Sequence, residues 1–423
     1  MADRFDFGGM MNWRLSIAAV LLTVQCPAIA QVSDQHRQEA KRLLERLVGA
    51  KLPLDHALVA QAAALVATGD RAGAAKLATS QPNFYNLTVK QMALRMSNRE
   101  ETLRVPLNDF AASFIGVTRD ETDARELLTG NFHYKGNPNL LTGFNVRQNI
   151  ADDLLASNTH YSDLDNGTID LSTVLMRVAG QPLLIDDNKN IADNLDPAGV
   201  LTSRAFMAAH AVDGTNRRLV EFTFREFACV SIDQWADTAA SDLRIGRDID
   251  RFPGGDHFKF QTSCKGCHTG MDGFRGAFAK WDFRNNNAIL STMKGTGRAQ
   301  ANASAAGVMN KMNKNNTVYP GGYVMTDDSW VNNASRGTNA LLFGWNGAGI
   351  DGGMGVQSFG RLVANSKRFS QCMAVRVFEA VCKKPLDPEK QKGLMMELGS
   401  TFERNGYKLK GLFETVVLRS ECH

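Results

Sequence analysis

The sequence lacks three features that would each define a class of protein. It has no run of five or more Lys or Arg residues, and its net charge is only +4 over 423 residues, so a nucleic-acid-binding surface is not expected. After residue 30 no apolar stretch is long enough to span a bilayer, which argues against stable membrane insertion. There is also no compositional bias: 43% hydrophobic, 22% charged and 8% aromatic residues are typical of a folded globular protein.

The first 30 residues have the pattern of an export signal. Arg14 precedes an apolar run at residues 15–24, and small residues at 28 and 30 suit signal peptidase. We therefore predict a signal peptide over residues 1–30, cleaved before Gln31. Cys26 follows Gln25, where a lipoprotein signal would have a small residue, so no lipid anchor is expected. The predicted location is periplasmic or secreted.

A short motif in the second half of the chain gives the clearest indication of a functional site. Residues 264–268 read Cys-Lys-Gly-Cys-His, the spacing of c-type haem attachment. On a helix capped by Ser263, Cys264, Cys267 and His268 would occupy positions i, i+3 and i+4 and face one surface. Both thiols could then form thioethers with the haem vinyl groups while His268 ligates the iron. We predict one covalent haem c on these three residues.

Other interpretations of the same motif are a plain disulfide, a zinc site or a thiol redox pair. Zinc would need a second pair of ligands nearby, yet the next cysteine is Cys372. A thioredoxin-like site would need a strand before the motif and alternating strands and helices after it, and neither pattern is evident. The sequence therefore favours haem.

The sixth iron ligand decides what such a haem does. A Met or His ligand is typical of an electron carrier, whereas an open position permits reactions with peroxide or other small molecules. Met325 lies 57 residues after His268, a separation compatible with the methionine loop of small cytochromes c, and is our candidate metal ligand. Met271 would lie on the proximal side and is rejected. Histidines that could replace Met325 are His133, His160, His210 and His257, and candidates for contacts with the haem edge or propionates are Arg275 and Trp281.

Four cysteines remain besides the motif once Cys26 is removed with the signal. In an oxidising compartment these would form two disulfides, with three possible connectivities. If Cys372 and Cys382 lie on one helix, their Cα atoms are about 15 Å apart, beyond the roughly 7 Å that a disulfide tolerates. This argues against one of the three connectivities and leaves two, of which we favour the pairs Cys382–Cys422 and Cys229–Cys372.

The pattern along the chain predicts a mainly α fold, with helical modules around a c-type haem domain, long Gly/Asn-rich loops and few short strands. The expected parts are a helical module over residues 31–130, a mixed region over 131–250, and the haem domain with C-terminal helices over 251–423. Ser33 or Asp34 is expected to cap the first helix. Further predicted helices cover residues 171–178, 204–211, 217–230, 366–383, 388–404 and 408–420, and residues 285–360 are predicted to be mostly loop.

The motif segment, residues 264–283, reads C-K-G-C-H-T-G-M-D-G-F-R-G-A-F-A-K-W-D-F. It resembles the haem segment of the planctomycete-type cytochrome-like proteins, and residues 198–202 and 405–410 are similar to their neighbouring blocks. The family often has Asp-Pro-Leu-Gly where this chain has Asp-Gly-Phe-Arg at 272–275. The resemblance implies a c-type haem protein, and only Cys264, Cys267 and His268 carry over as site residues.

Three functions are compatible with these observations. The leading prediction is a monohaem cytochrome that transfers electrons to or from a periplasmic redox partner protein. An alternative is a haem peroxidase or oxygenase-like enzyme with an open distal site, although the dihaem peroxidases would show a second haem motif and this chain has one. A further alternative is a haem-based redox or gas sensor.

Overall fold

The computed structural model describes residues 31–184, 189–211, 216–246, 249–284, 289–291, 327–387 and 390–422. The predicted signal segment and Met325 lie outside these residues. Within them the chain forms seventeen α-helices and eight strands of three to five residues, which confirms the predicted mainly α fold. None of the helices in the described ranges is both long and apolar enough to cross a membrane.

The N-terminal helices form a small bundle around their apolar faces. The first begins at Ser33, whose hydroxyl accepts from the amide of His36, so the predicted cap is confirmed. Buried Leu43, Leu44 and Leu47 form its inner face. The helices are α1 (Asp34–Val48), α2 (Ala57–Ala67), α3 (Arg71–Thr79), α4 (Lys90–Met96), α5 (Asp109–Arg119) and α6 (Glu126–Thr129).

The middle of the chain contributes short helices and two of the four antiparallel strand pairs in the described residues. In the first pair Phe132 lies opposite Ala179, and in the second Pro182 lies opposite Asp193. The helices are α7 (Thr159–Leu164), α8 (Leu171–Val174), α9 (Arg204–His210), α10 (Arg217–Phe227), α11 (His257–Lys259) and α12 (Lys265–Phe274). The strands are β1 (Phe132–Gly136), β2 (Leu175–Ala179), β3 (Pro182–Leu184) and β4 (Ile191–Asp193).

The C-terminal helices return to the N-terminal bundle. The ring of Phe413 meets that of Phe84 edge-on, with centroids 5.0 Å apart, and Thr79 donates to Glu414 over 2.7 Å. The helices are α13 (Gly337–Phe343), α14 (Gly355–Ala364), α15 (Lys367–Cys382), α16 (Lys392–Arg404) and α17 (Leu409–Val417), and the strands are β5 (Asp282–Arg284), β6 (Ile289–Ser291), β7 (Ser329–Val331) and β8 (Gly352–Met354). One hydrophobic core runs from Ala40 to Cys422.

Two secondary-structure predictions are wrong. Residues 171–178 are not one helix, because α8 ends at Val174 and the chain continues as β2, which pairs with β1. Residues 327–360 are not mostly loop, since they contain β7, α13, β8 and the start of α14. Glycine at position 353 allows a close contact with an aromatic ring, because a Cβ at Gly353 would lie 2.7 Å from the Trp330 ring.

The predicted disulfides are confirmed. Cys229 pairs with Cys372, with Cα atoms 5.2 Å apart, and Cys382 pairs with Cys422, with Cα atoms 4.8 Å apart. Cys372 and Cys382 both lie on α15, so the helical separation that disfavoured their pairing is present. The first bridge ties the end of α10 to α15, and the second ties α15 to the C-terminal turn.

Candidate functional site

The motif lies within one continuous helical run. Asp256 caps it, accepting from the amides of Phe258 and Lys259 at 2.9 and 3.2 Å, and a π-helical turn over Phe260–Cys264 leads into α12. The expectation that Ser263 caps this helix is therefore wrong. Asp256 accepts from the free amides seven residues earlier, about two helical turns before Ser263, which lies inside the run.

A row of glycines brings α12 close to its neighbours. A Cβ at Gly270 would lie 2.7 Å from the Trp235 ring, and a Cβ at Gly273 would lie 2.7 Å from the carbonyl oxygen of Val331. Because Gly270 and Gly273 face inward, Cys264 and His268 lie on the opposite side of the helix, and Cys267 lies between the two sides. Both cysteines are accordingly partly exposed.

Aromatic side chains hold α12 in place on its buried side. Phe224 of α10 contacts Phe274 at the end of α12, with ring centroids 5.2 Å apart, and Trp235 with centroids 5.0 Å apart. Phe359 of α14 lies 5.2 Å from Phe274. A rigid apolar base of this kind fixes the direction in which the three motif side chains point.

The two motif cysteines differ from the other cysteines in the described part of the chain. The described residues contain six cysteines, of which four form disulfides, whereas Cys264 and Cys267 are unpaired. Burial, together with the nearby charges of Asp233 and Glu221, raises the pKa of the Cys267 thiol. Redox-active thiol pairs show the opposite direction, and the described residues contain no group of three or more His, Cys, Asp or Glu side chains suited to a metal ion.

Behind His268 lies a buried charge cluster. The Asp272 side chain is fully buried and accepts from Nε and Nη2 of Arg217 at 2.8 and 2.9 Å. It also accepts from the Gly246 amide at 2.9 Å, and Nη1 of Arg275 lies 3.4 Å away. Burial alone would raise the pKa of Asp272, but the positive charges of Arg275 and Arg217 outweigh it and hold the pKa well below its ordinary value.

His268 itself has one buried and one outward side. Its side chain is 23% exposed, and Nδ1 lies 3.7 Å from Oδ1 of Asp272. That nitrogen is buried without a hydrogen-bond partner. The inward nitrogen is therefore Nδ1, which leaves Nε2 as the atom for a ligand.

The other histidines considered as iron ligands fall into two groups. His133, His160 and His257 each have a ring nitrogen bonded to a backbone carbonyl, at 2.8, 2.7 and 2.9 Å, and so have structural partners. His210 is different: it is fully buried, and both ring nitrogens lack a partner. It stacks on Phe222 with centroids 4.1 Å apart, and burial with the nearby charges of Arg218 and Arg99 lowers its pKa to about 3.

The remaining sequence candidates are placed as follows. Arg275 is 4% exposed and belongs to the Asp272 cluster. Trp281 is fully buried, and its Nε1 donates to Asp196 over 3.4 Å. Met271 is buried on α12, and the candidate ligand Met325 lies outside the described residues. Sequence reasoning missed Asp272 as a site residue, although its i+4 spacing from His268 on a helix was a usable signal.

Comparison of the chain with protein-family models, with curated proteins and with solved structures finds no match in any of the three. The resemblance of the motif segment to the planctomycete-type cytochrome-like proteins therefore stays a prediction from residues 264–283 and their neighbouring blocks.

Proposed function

We propose that this chain is an exported c-type cytochrome that carries one covalent haem and transfers electrons. The observation that carries the proposal is the contrast among its cysteines. Four of the six in the described ranges form disulfides, whereas Cys264 and Cys267 stay unpaired within one helical turn of each other, beside His268. Thioether formation needs two free thiols in this relation to an imidazole.

The residues present fit a haem. Cys264 and Cys267 would bind the two vinyl carbons, and Nε2 of His268 would ligate the iron. The chain before the motif also offers apolar surface, because Phe252 and Phe258 are 61% and 73% exposed. Two exposed aromatic rings, six and twelve residues before Cys264, are the kind of surface that an apolar macrocycle covers.

The bound haem would supply a one-electron iron couple. The protein would hold His268 as the iron ligand, exclude water from the buried side of this histidine and set the local charge. Held by Cys264, Cys267 and His268, such a couple would allow one-electron transfer between a donor and an acceptor protein. The two disulfides fit an oxidising compartment, where we place this redox partner, and Met325 remains the proposed sixth ligand.

Expression of the full chain in a bacterium with an active cytochrome c maturation system tests the proposal. The wild-type protein should stain for haem on a denaturing gel and show the spectrum of a low-spin c-type cytochrome. A Cys264→Ala/Cys267→Ala variant should lose the stain. The matched control is Cys382→Ala/Cys422→Ala, which also removes two cysteines and should keep it.

The outcomes separate the alternatives left by the sequence. A wild-type protein without covalent haem, or a Cys264→Ala/Cys267→Ala variant that retains it, would overturn the proposal. A high-spin spectrum would contradict electron transfer and favour an enzyme with an open site. Met325→Ala should change the low-spin spectrum, and an unchanged spectrum would remove Met325 as a ligand.

A further inference from the structure

Asp272 is a buried carboxylate whose surroundings are built almost entirely of donors. Three groups other than His268 surround it: Arg217 with two nitrogens at 2.8 and 2.9 Å, Arg275 at 3.4 Å, and the Gly246 amide at 2.9 Å. Such a network fixes the carboxylate in one orientation. In that orientation Oδ1 faces the ring of His268.

The facing atom of His268 is the one that needs a partner. Nδ1 is buried and unpartnered, and it lies 3.7 Å from Oδ1 of Asp272, one turn along the same helix. Closing this 3.7 Å gap to the length of an N–H···O hydrogen bond requires a shift of about 0.5–0.8 Å, the size of a small adjustment of the ring. A buried ring N–H without a hydrogen-bond partner is energetically unfavourable, so forming this hydrogen bond would stabilise the site.

We propose that Asp272 is the positioning residue of the haem site: it accepts a hydrogen bond from Nδ1–H of His268 and so directs Nε2 of His268 to the iron, while Arg217 and Arg275 hold the carboxylate in place. This inference rests on the proposed haem function. Histidines that ligate a metal usually donate their other ring N–H to a carboxylate, carbonyl or water, which fixes the tautomer and strengthens the ligand.

The arrangement has a consequence for the reduction potential. A carboxylate at Nδ1 makes the imidazole a stronger donor and stabilises ferric over ferrous iron, which lowers the potential. The guanidinium of Arg217 withdraws part of that charge from the carboxylate. Asp272 and Arg217 therefore act in opposite directions, and their substitution should shift the potential with opposite signs.

The test uses holoprotein variants and two measurements: the reduction potential, and the NMR resonance of the His268 Nδ1 proton in ferrous protein labelled with ¹⁵N-histidine. In Asp272→Asn the potential should rise and the Nδ1 proton should move upfield, because a neutral amide is a weaker acceptor. The matched control is Glu226→Gln, which replaces a carboxyl group that is likewise buried and paired with an arginine but does not contact His268. It should move neither quantity.

Arg217→Gln is the second variant, and it keeps the inference testable if Asp272→Asn does not fold. It should lower the potential and move the Nδ1 proton downfield. A potential that shifts while the proton resonance stays fixed would show only a distant charge effect and would overturn the inference. Unchanged values for both would overturn it too. A wild-type protein that carries no haem would instead refute the proposed function, before any variant is made.

Discussion

Removing the Cys382–Cys422 disulfide should destabilise the protein by an amount set by the loop that it closes. The bridge spans 40 residues, and the loss of chain entropy in the unfolded state predicts about 4 kcal/mol for a loop of this length. The Cys229–Cys372 bridge spans 143 residues and predicts about 5 kcal/mol. The variants Cys382→Ala/Cys422→Ala and Cys229→Ala/Cys372→Ala should therefore differ by about 1 kcal/mol, with the longer loop costing more.

Urea unfolding, followed by tryptophan fluorescence and by circular dichroism, measures both losses. A reductant is the control: it should bring the wild-type protein down to or below either variant, and it should lower each variant only by the bridge that the variant retains. Free energies of unfolding for both variants within about 1 kcal/mol of the wild-type value would refute the entropic reasoning. Peptide mapping that finds Cys372 joined to Cys382 would refute the connectivity itself.

Three further substitutions test buried positions. His210→Leu should raise the free energy of unfolding by about 1–2 kcal/mol, since it removes two buried ring nitrogens without partners; a loss of stability would contradict this. Burial outweighs the attraction of Arg376 and raises the pKa of Glu226 from 4.5 to about 7. The native state thus retains a proton that the unfolded state releases, and stability should fall as the pH rises through this interval. Between about pH 5 and pH 8, the free energy of unfolding of Glu226→Gln should fall by about 2 kcal/mol less than that of the wild type, as measured by urea unfolding at each pH. Equal decreases would refute the raised pKa of Glu226. Gly270→Ala should lower the free energy of unfolding by about 1–3 kcal/mol, because the added Cβ would lie 2.7 Å from the Trp235 ring. An unchanged thermal midpoint would contradict this, since it would show that the Trp235 ring moves aside.

Local patterns were sufficient to predict some parts of this structure. The cap at Ser33, the helix at 217–230 and the helix that holds Cys372 apart from Cys382 all depend on periodicity or on residues within a few turns. That last helix argued against one of the three disulfide connectivities, because helical rise separates Cys372 from Cys382; the choice between the other two was a preference. Each of these predictions is confirmed by α1, α10 and α15.

Other parts depend on partners far away in the sequence. β2 follows α8 because it pairs with β1, about forty residues earlier, and nothing within residues 171–178 signals that pairing. The glycine-rich stretch around Gly353 looked like loop, but its glycines accommodate Trp330. The cluster behind His268 combines Asp272 with Arg217 from another helix, so only the half of it that lies on α12 was visible as a spacing.

The most direct test of the central claim is the intact mass of the protein purified after export from a host that matures c-type cytochromes. We predict the mass of a polypeptide that begins at Gln31, with two disulfides and one haem added, and the haem should remain after denaturation because Cys264 and Cys267 hold it covalently. A mass equal to the polypeptide alone, from a host in which a known c-type cytochrome is matured in parallel, would contradict the account.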